Sequence, residues 1–185
     1  IIMCGFKPKI LFVRSVLKPF ITDMTIIKIA TPIVIPKNEK IDIIFIAVGG
    51  GGLISGMGAY VKTVDPKIKI VAVEAADAAG LNSSLKANRR VKLKEVGLFA
   101  DGAAAKQIGK HNYKLITEWI DDSITVSTDE ICAAVKDTFI DTRTIPEPTG
   151  ALALAGLKKY VINKKIKNKN LIAVSYTHLT LPTEQ

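Results

Sequence analysis

"IAVGGGGLISG", Ile46 to Gly56, sets four consecutive glycines between an apolar run and the opening of a helix. Glycine loses more conformational freedom on folding than any other residue, so four together at an element boundary mean that the backbone itself comes close to something. Upstream, "IDIIFIAV" (Ile41–Val48) is a continuous run rich in branched residues, the pattern of a strand buried on both faces. Downstream, Leu53 to Val64 reads as a helix that stops before Pro66. A strand that passes through glycines into a helix gathers backbone N–H groups and the positive end of a helix dipole at one point, so a phosphate is the first ligand to consider.

Working outward, "IKIVAVEA" (Ile68–Ala75) is a second buried strand, and a helix is expected over Ala78–Ala87. "VGLFADGAAAKQIG" is turn-like, His111 to Ile120 forms a further helix, and "SITVS" is a short third strand. Ser127 and Glu130 have the spacing of a capping box, opening a helix that runs through Ile140. After "RTIPEPTG" comes the periodic helix "ALALAGLKKYVI", then a fourth strand, "LIAVS". Alternating strands and helices predict an α/β fold, a mostly parallel twisted sheet with flanking helices. Residues 1–40 mix Ile, Lys and Pro with no sustained period and are left unassigned.

Composition narrows the function classes. Of 185 residues 48% are hydrophobic and 23% charged, which excludes a disordered chain. No apolar run approaches bilayer length, and Lys7, Pro8 and Lys9 interrupt the opening stretch, so neither a membrane span nor a signal peptide is read. The two cysteines, Cys4 and Cys132, form neither a metal spacing nor a disulfide framework, and Cys132 is expected as a buried inert thiol. A reducing, cytoplasmic setting follows as the default. His111 and His178 stand in no ligand or triad pattern. The net charge of +9 is spread along the chain without interleaved aromatics, and "NKKIKNKN" (Asn163–Asn170) reads as a solvated turn, so no nucleic-acid partner is expected.

Spacing separates the ways in which the glycines could hold a phosphate. A P-loop needs Lys and Ser or Thr after its last glycine, where this chain has Met57 and Gly58 after Gly56. A dinucleotide fingerprint starting at Gly50 would place Ser55 at its third glycine, although Glu74 closes the second strand where a ribose-binding acid would sit. The third reading is a nest of successive N–H groups at a helix N-terminus, aimed at one phosphate monoester and needing no lysine. A tight turn without a ligand would need only one glycine.

"VGGGGLISG", "VEAADAAGL", "VGLFADGAAAKQIG", "DDSITVSTDEICAAVKDTF" and "EPTGALALAGLKKY" resemble, in order and spacing, the second half of the catalytic domain of the threonine dehydratase (threonine ammonia-lyase) family, especially its biosynthetic form. The resemblance implies a fold type II pyridoxal-phosphate enzyme. It would remove water and ammonia from L-threonine to give 2-oxobutanoate for isoleucine synthesis. It also implies a small amino-acid substrate, a homo-oligomeric parent, and pyridoxal 5'-phosphate held through its phosphate by Gly49, Gly50, Gly51, Gly52 and Leu53. Glu147 matches a family acid near the cofactor, or equally an acid favouring a helix N-terminus. Glu74 and Asp101 match positions near a divalent ion in the serine racemases, but the neighbouring ligands do not match and no metal is implied.

The resemblance also marks what this stretch does not carry. The Ser-Phe-Lys motif of the Schiff-base lysine and the Ser-Xaa-Gly-Asn substrate loop do not occur, so no catalytic residue is assigned. Where the family has Ser-Gly-Ala-Asn, this chain has Tyr176, Thr177 and His178. The expected organisation is residues 41–175 as the C-terminal part of the catalytic domain. The departure before "IDIIF" points to a frameshift or misjoined read, and residues 176–185 to sequencing-adapter read-through in "VSYTHLTLPT". The alternatives are another fold type II enzyme, such as a serine dehydratase or racemase, and a dinucleotide-binding domain.

Overall fold

A computed structural model describes residues 11–12, 26–29 and 40–175. They contain six strands: β1 (Leu11–Phe12), β2 (Ile26–Ile29), β3 (Ile43–Ala47), β4 (Lys69–Ala75), β5 (Asp122–Val126) and β6 (Leu171–Val174). The helices are α1 (Gly52–Val64), α2 (Gly80–Lys86), α3 (Lys110–Trp119), α4 (Thr128–Thr142) and α5 (Pro148–Lys164). The strands form one sheet in the order β1-β2-β6-β3-β4-β5, parallel at every junction except β1–β2. The expected α/β architecture is present, with all four strands read from the sequence after residue 40.

Strand β3 shows why the sheet is sandwiched between helices. All five of its residues are buried. Because side chains alternate across a strand, Ile43, Phe45 and Ala47 join one core with Leu152 and Leu157 of α5, while Ile44 and Ile46 join the other with Ile54, Met57 and Val61 of α1 and Ile116 of α3. Each such aliphatic side chain removed from water contributes about 1.5–3 kcal/mol, so both faces need a helical cover.

Helix α5 is buried from Thr149 through Leu157, and contacts β3, β4, β5 and β6. Apolar and small residues all round suit a helix that lies flat on a sheet and is itself covered. Its cover is α4, which opens with the expected capping box: the Ser127 hydroxyl accepts from the Glu130 N–H at 3.2 Å, and the Glu130 carboxylate accepts from the Ser127 N–H at 2.7 Å. Lys159 of α5 reaches the same carboxylate at 2.9 Å, joining the two helices.

Several expectations are corrected. α1 begins at Gly52, one residue early, because Gly51 itself is the N-cap. α5 begins at Pro148, which suits a first helical position where no N–H is needed. The segment expected to open α2 at Ala78 is instead a 3₁₀ turn over Ala76–Ala78, and the helix starts at Gly80. Cys132 is exposed rather than buried: α4 turns Ile131, Ala134 and Thr138 inward, and a helical step of about 100° carries Cys132 off that face. "NKKIKNKN" forms the end of α5 and a largely exposed turn, with Lys165 and Asn168 in the left-handed region. Cys4, His178 and the 176–185 tail lie outside the described residues.

Candidate anion-binding site

Two of the four glycines have a steric reason. Gly51 is the N-cap of α1 at φ +89°, and a Cβ there would stand 2.8 Å from Ile116 Cδ1. Gly49 passes so close to the next loop that a Cβ would meet Ala103 Cα at 2.9 Å. Gly50 and Gly52 are different, for a Cβ on either would project into open space. The bare backbone therefore serves packing at two positions and borders empty room at the other two.

The loop's carbonyl groups are engaged within the protein. Gly50 O accepts from the Gly109 N–H at 3.1 Å and from Asn112 Nδ2 at 2.9 Å. Gly51 O accepts from the Ser55 N–H at 3.1 Å and the Ser55 hydroxyl at 2.6 Å. A trans peptide directs its N–H opposite to its C=O, so the amides of Gly51 and Gly52 turn away from these partners. The amides of Gly52, Leu53 and Ile54 also precede the first intrahelical bond of α1, from Ser55 to Gly51, and have no acceptor within the helix.

These groups border a cavity of about 170 Å³ lined by Ala47, the Gly49–Leu53 loop, Gly102, Ala103 and Thr149. That is below the roughly 300–1,000 Å³ that encloses a whole drug-sized ligand, and suits one small group at the end of a larger molecule. No charged side chain is among its described lining residues. Favourable potential for an anion comes instead from backbone dipoles, those of α1 and of α5, whose second residue is Thr149. Thr149 is 1% exposed and its Oγ1 has no hydrogen-bond partner among the described residues.

The site residues expected from the sequence divide accordingly. Gly49, Gly50, Gly51, Gly52 and Leu53 come together around the cavity. Glu147 is the N-cap of α5 without a side-chain capping bond, and is not among the lining residues. Thr149, Gly102 and Ala103 were not legible as site residues, although Thr149 lies within "EPTG" and follows the Pro that starts the helix. That position, a hydroxyl in the first turn of a buried helix, is the signal that could have identified it.

Glu74 is engaged elsewhere. Its carboxylate accepts from the backbone N–H of Leu81 at 2.7 Å and of Asn82 at 2.8 Å, and so serves the start of α2. Burial pushes its carboxyl up to about 7 despite those two hydrogen bonds, which act in the opposite direction. With both oxygens taken, it is not placed to bind a ribose, and the dinucleotide reading loses its acid. Asp101 accepts from the Gly102 N–H at 2.8 Å within its own turn, and among the described residues no cluster of three His, Cys, Asp or Glu side chains forms. No helix among the described residues is long and apolar enough to cross a membrane.

A family model described as pyridoxal-phosphate dependent enzyme matches residues 7–177, most of the chain. The chain belongs to the pyridoxal-phosphate-dependent enzyme family. The match takes in most of the stretch before Ile41, in keeping with the parallel pairing of β2 onto β6. Among relatives of this pyridoxal-phosphate family, the mitochondrial threonine dehydratase of Schizosaccharomyces pombe is 53% identical over 136 residues, covering 74% of this chain and 23% of that protein. The biosynthetic L-threonine dehydratase IlvA of Burkholderia multivorans is 48% identical over 147 residues, covering 80% and 29%. In three dimensions the chain is similar to the processed form of threonine deaminase isoform 2 from Solanum lycopersicum. The TM-score is 0.74 at 39% identity, covering 78% of this chain and 42% of that one. The chain thus spans about a quarter of the length of these curated relatives.

Proposed function

We propose that this chain is the phosphate-holding part of the catalytic domain of a threonine ammonia-lyase whose whole form converts L-threonine into 2-oxobutanoate and ammonia for isoleucine synthesis. The observation that carries the reading is the cavity bordered by the Gly49–Leu53 loop, with two open glycine positions and no charged side chain among its described lining residues. Pyridoxal phosphate, when bound, supplies an electron sink for the carbanion left by loss of the substrate's α proton.

The residues of this chain act on the cofactor's position. Amides at Gly51, Gly52 and Leu53 donate to the phosphate, and the dipole of α1 favours its negative charge. Gly49, pressed against Ala103, keeps the neighbouring loop close to the cradle. The hydrogen bonds to Gly50 O and Gly51 O fix the loop in advance, so little ordering remains to be done on binding. Glu147, two residues before Thr149, is assigned to the part of the cofactor beyond the phosphate. By holding the phosphate, the Gly49–Leu53 loop would fix the cofactor's orientation in the site, a positioning effect.

No Ser-Phe-Lys motif occurs in the sequence, so the chain by itself holds the phosphate and turns over no threonine. The reading goes with a homo-oligomeric parent and a cytoplasmic, reducing compartment, which suits two cysteines without a disulfide framework. The deciding experiment is Gly52→Ala. A Cβ there meets no protein atom, and alanine favours a helix start over glycine, so folding is retained. Titration with pyridoxamine 5'-phosphate, which has no aldehyde to react with surface lysines, should saturate the unaltered chain and bind Gly52→Ala at least tenfold more weakly. Equal binding by the two chains would remove the cradle assignment.

A further inference from the structure

Thr149 Oγ1 is a buried hydroxyl without a hydrogen-bond partner among the described residues. Leaving such a group unsatisfied is unfavourable, and proteins rarely tolerate it without a use. The residue is 1% exposed, sits in the first turn of the 17-residue helix α5, and lines the same cavity as the glycine loop. Gly102 lies across from it, where a Cβ would stand 3.1 Å from Oγ1, so only a glycine leaves that side of the hydroxyl uncrowded. Valine would fill the same volume without the unsatisfied group.

We infer that the Thr149 hydroxyl is a further ligand to the phosphate monoester held by the glycine loop, donating a hydrogen bond from the α5 side of the cavity while the α1 amides donate from the other. The inference rests on the cradle assignment made above and extends it to a second helix. Two N-termini, of α1 and α5, then face one anion, and the hydroxyl that is unpaired in the free protein is paired in the bound one. An unmet donor held ready costs stability in the free state and returns it on binding.

The test compares the full 185-residue chain with Thr149→Val and Thr149→Ser, using pyridoxamine 5'-phosphate followed by calorimetry and thermal unfolding. Thr149→Val should bind about tenfold more weakly, Thr149→Ser within about twofold of the unaltered chain, as for loss and retention of one hydrogen bond to a charged group. The unliganded Thr149→Val chain should unfold at the same temperature as the unaltered one or higher, with a smaller upward shift on adding ligand. Pyridoxamine without its phosphate should not distinguish the variants. Inorganic phosphate that binds with the same Thr149 dependence and as tightly as the phosphorylated compound would support the ligand role and identify a free anion as the occupant.

If Thr149→Val binds as tightly as the unaltered chain while Gly52→Ala does not, the cradle stands and this inference falls. Absence of saturable binding by the unaltered chain overturns both. A lower unfolding temperature for unliganded Thr149→Val, with equal losses for phosphorylated and unphosphorylated ligand, would assign the hydroxyl a structural role and overturn the inference as well.

Discussion

Asn112 Nδ2 donates a hydrogen bond to the carbonyl of Gly50 at 2.9 Å, tying the first turn of α3 to the glycine loop across 62 residues of sequence. The tie leaves the amide edge of the loop free for the cavity by occupying its carbonyl edge. Asn112→Ala removes it while the Gly109 N–H stays on the same oxygen. The expected result is a stability loss of about 0.5–1.5 kcal/mol and a severalfold weaker binding of pyridoxamine 5'-phosphate, read by urea unfolding and calorimetry. A chain that loses stability with no change in affinity would show that the loop keeps its shape without the tie.

Glu74 gives a pH dependence with a definite sign. Its carboxyl is pushed by burial from the ordinary 4.5 up to about 7, so between these values the folded chain binds a proton that the unfolded chain does not. Stability from this group is complete below about pH 4.5 and is lost as pH rises through about 7, a change of order 3 kcal/mol. Urea midpoints measured from pH 5 to 8 should therefore fall, and Glu74→Gln should flatten the fall. An unaltered slope in Glu74→Gln would place its origin elsewhere.

Two glycines in helices should respond oppositely to alanine. A Cβ at Gly156 of α5 would collide with both γ-methyl groups of Val73, and β4, paired on both sides in the sheet, has little room to yield. Gly156→Ala is expected to destabilise by about 1–3 kcal/mol. Gly56 of α1 has nothing within 4 Å of its added Cβ, and Gly56→Ala should stabilise by up to about 1 kcal/mol. Denaturant midpoints of the two variants lie on opposite sides of the unaltered chain if the packing is as described.

Ser127→Ala removes one half of the capping box and leaves the Glu130 N–H without its side-chain acceptor. The expected loss is about 1 kcal/mol, visible in the unfolding midpoint. Ser127→Asp, which keeps an acceptor and adds a charge favourable at a helix start, should lose less than half as much.

The parts of the fold legible in the sequence are those set by local pattern. The branched run at Ile43–Ala47 and the Ser127–Glu130 spacing each act within a few residues, and each appears where expected, whereas the start of α5 at Pro148 precedes the periodic run that marked the helix. β2 was not legible, because four residues within an unperiodic stretch become a strand only by pairing with β6. The burial of Cys132 was misread because its apolar neighbours Ile131 and Ala134 mark a face one helical step away. At the site, the glycine loop was visible as composition. The role of Gly49 depends on Ala103, that of Gly51 on Ile116, and Thr149 enters only because α5 lies across the sheet. Such meetings depend on tertiary packing, which no local spacing encodes.

The insertion of β6 between β2 and β3 has a consequence for synthesis on the ribosome. Leu171 pairs with Ile26 on one side and Ile43 on the other, so the last of the described strands to be made occupies an interior place in the sheet. β3, β4 and β5 can assemble as they emerge, but β2 must wait for the chain to reach Val174, on the order of ten seconds at ordinary elongation rates. Throughout that interval the nascent chain presents the unpaired edge of β3 and, on β2, the edge that will receive β6, a window in which chaperones or other nascent chains can compete for the sheet.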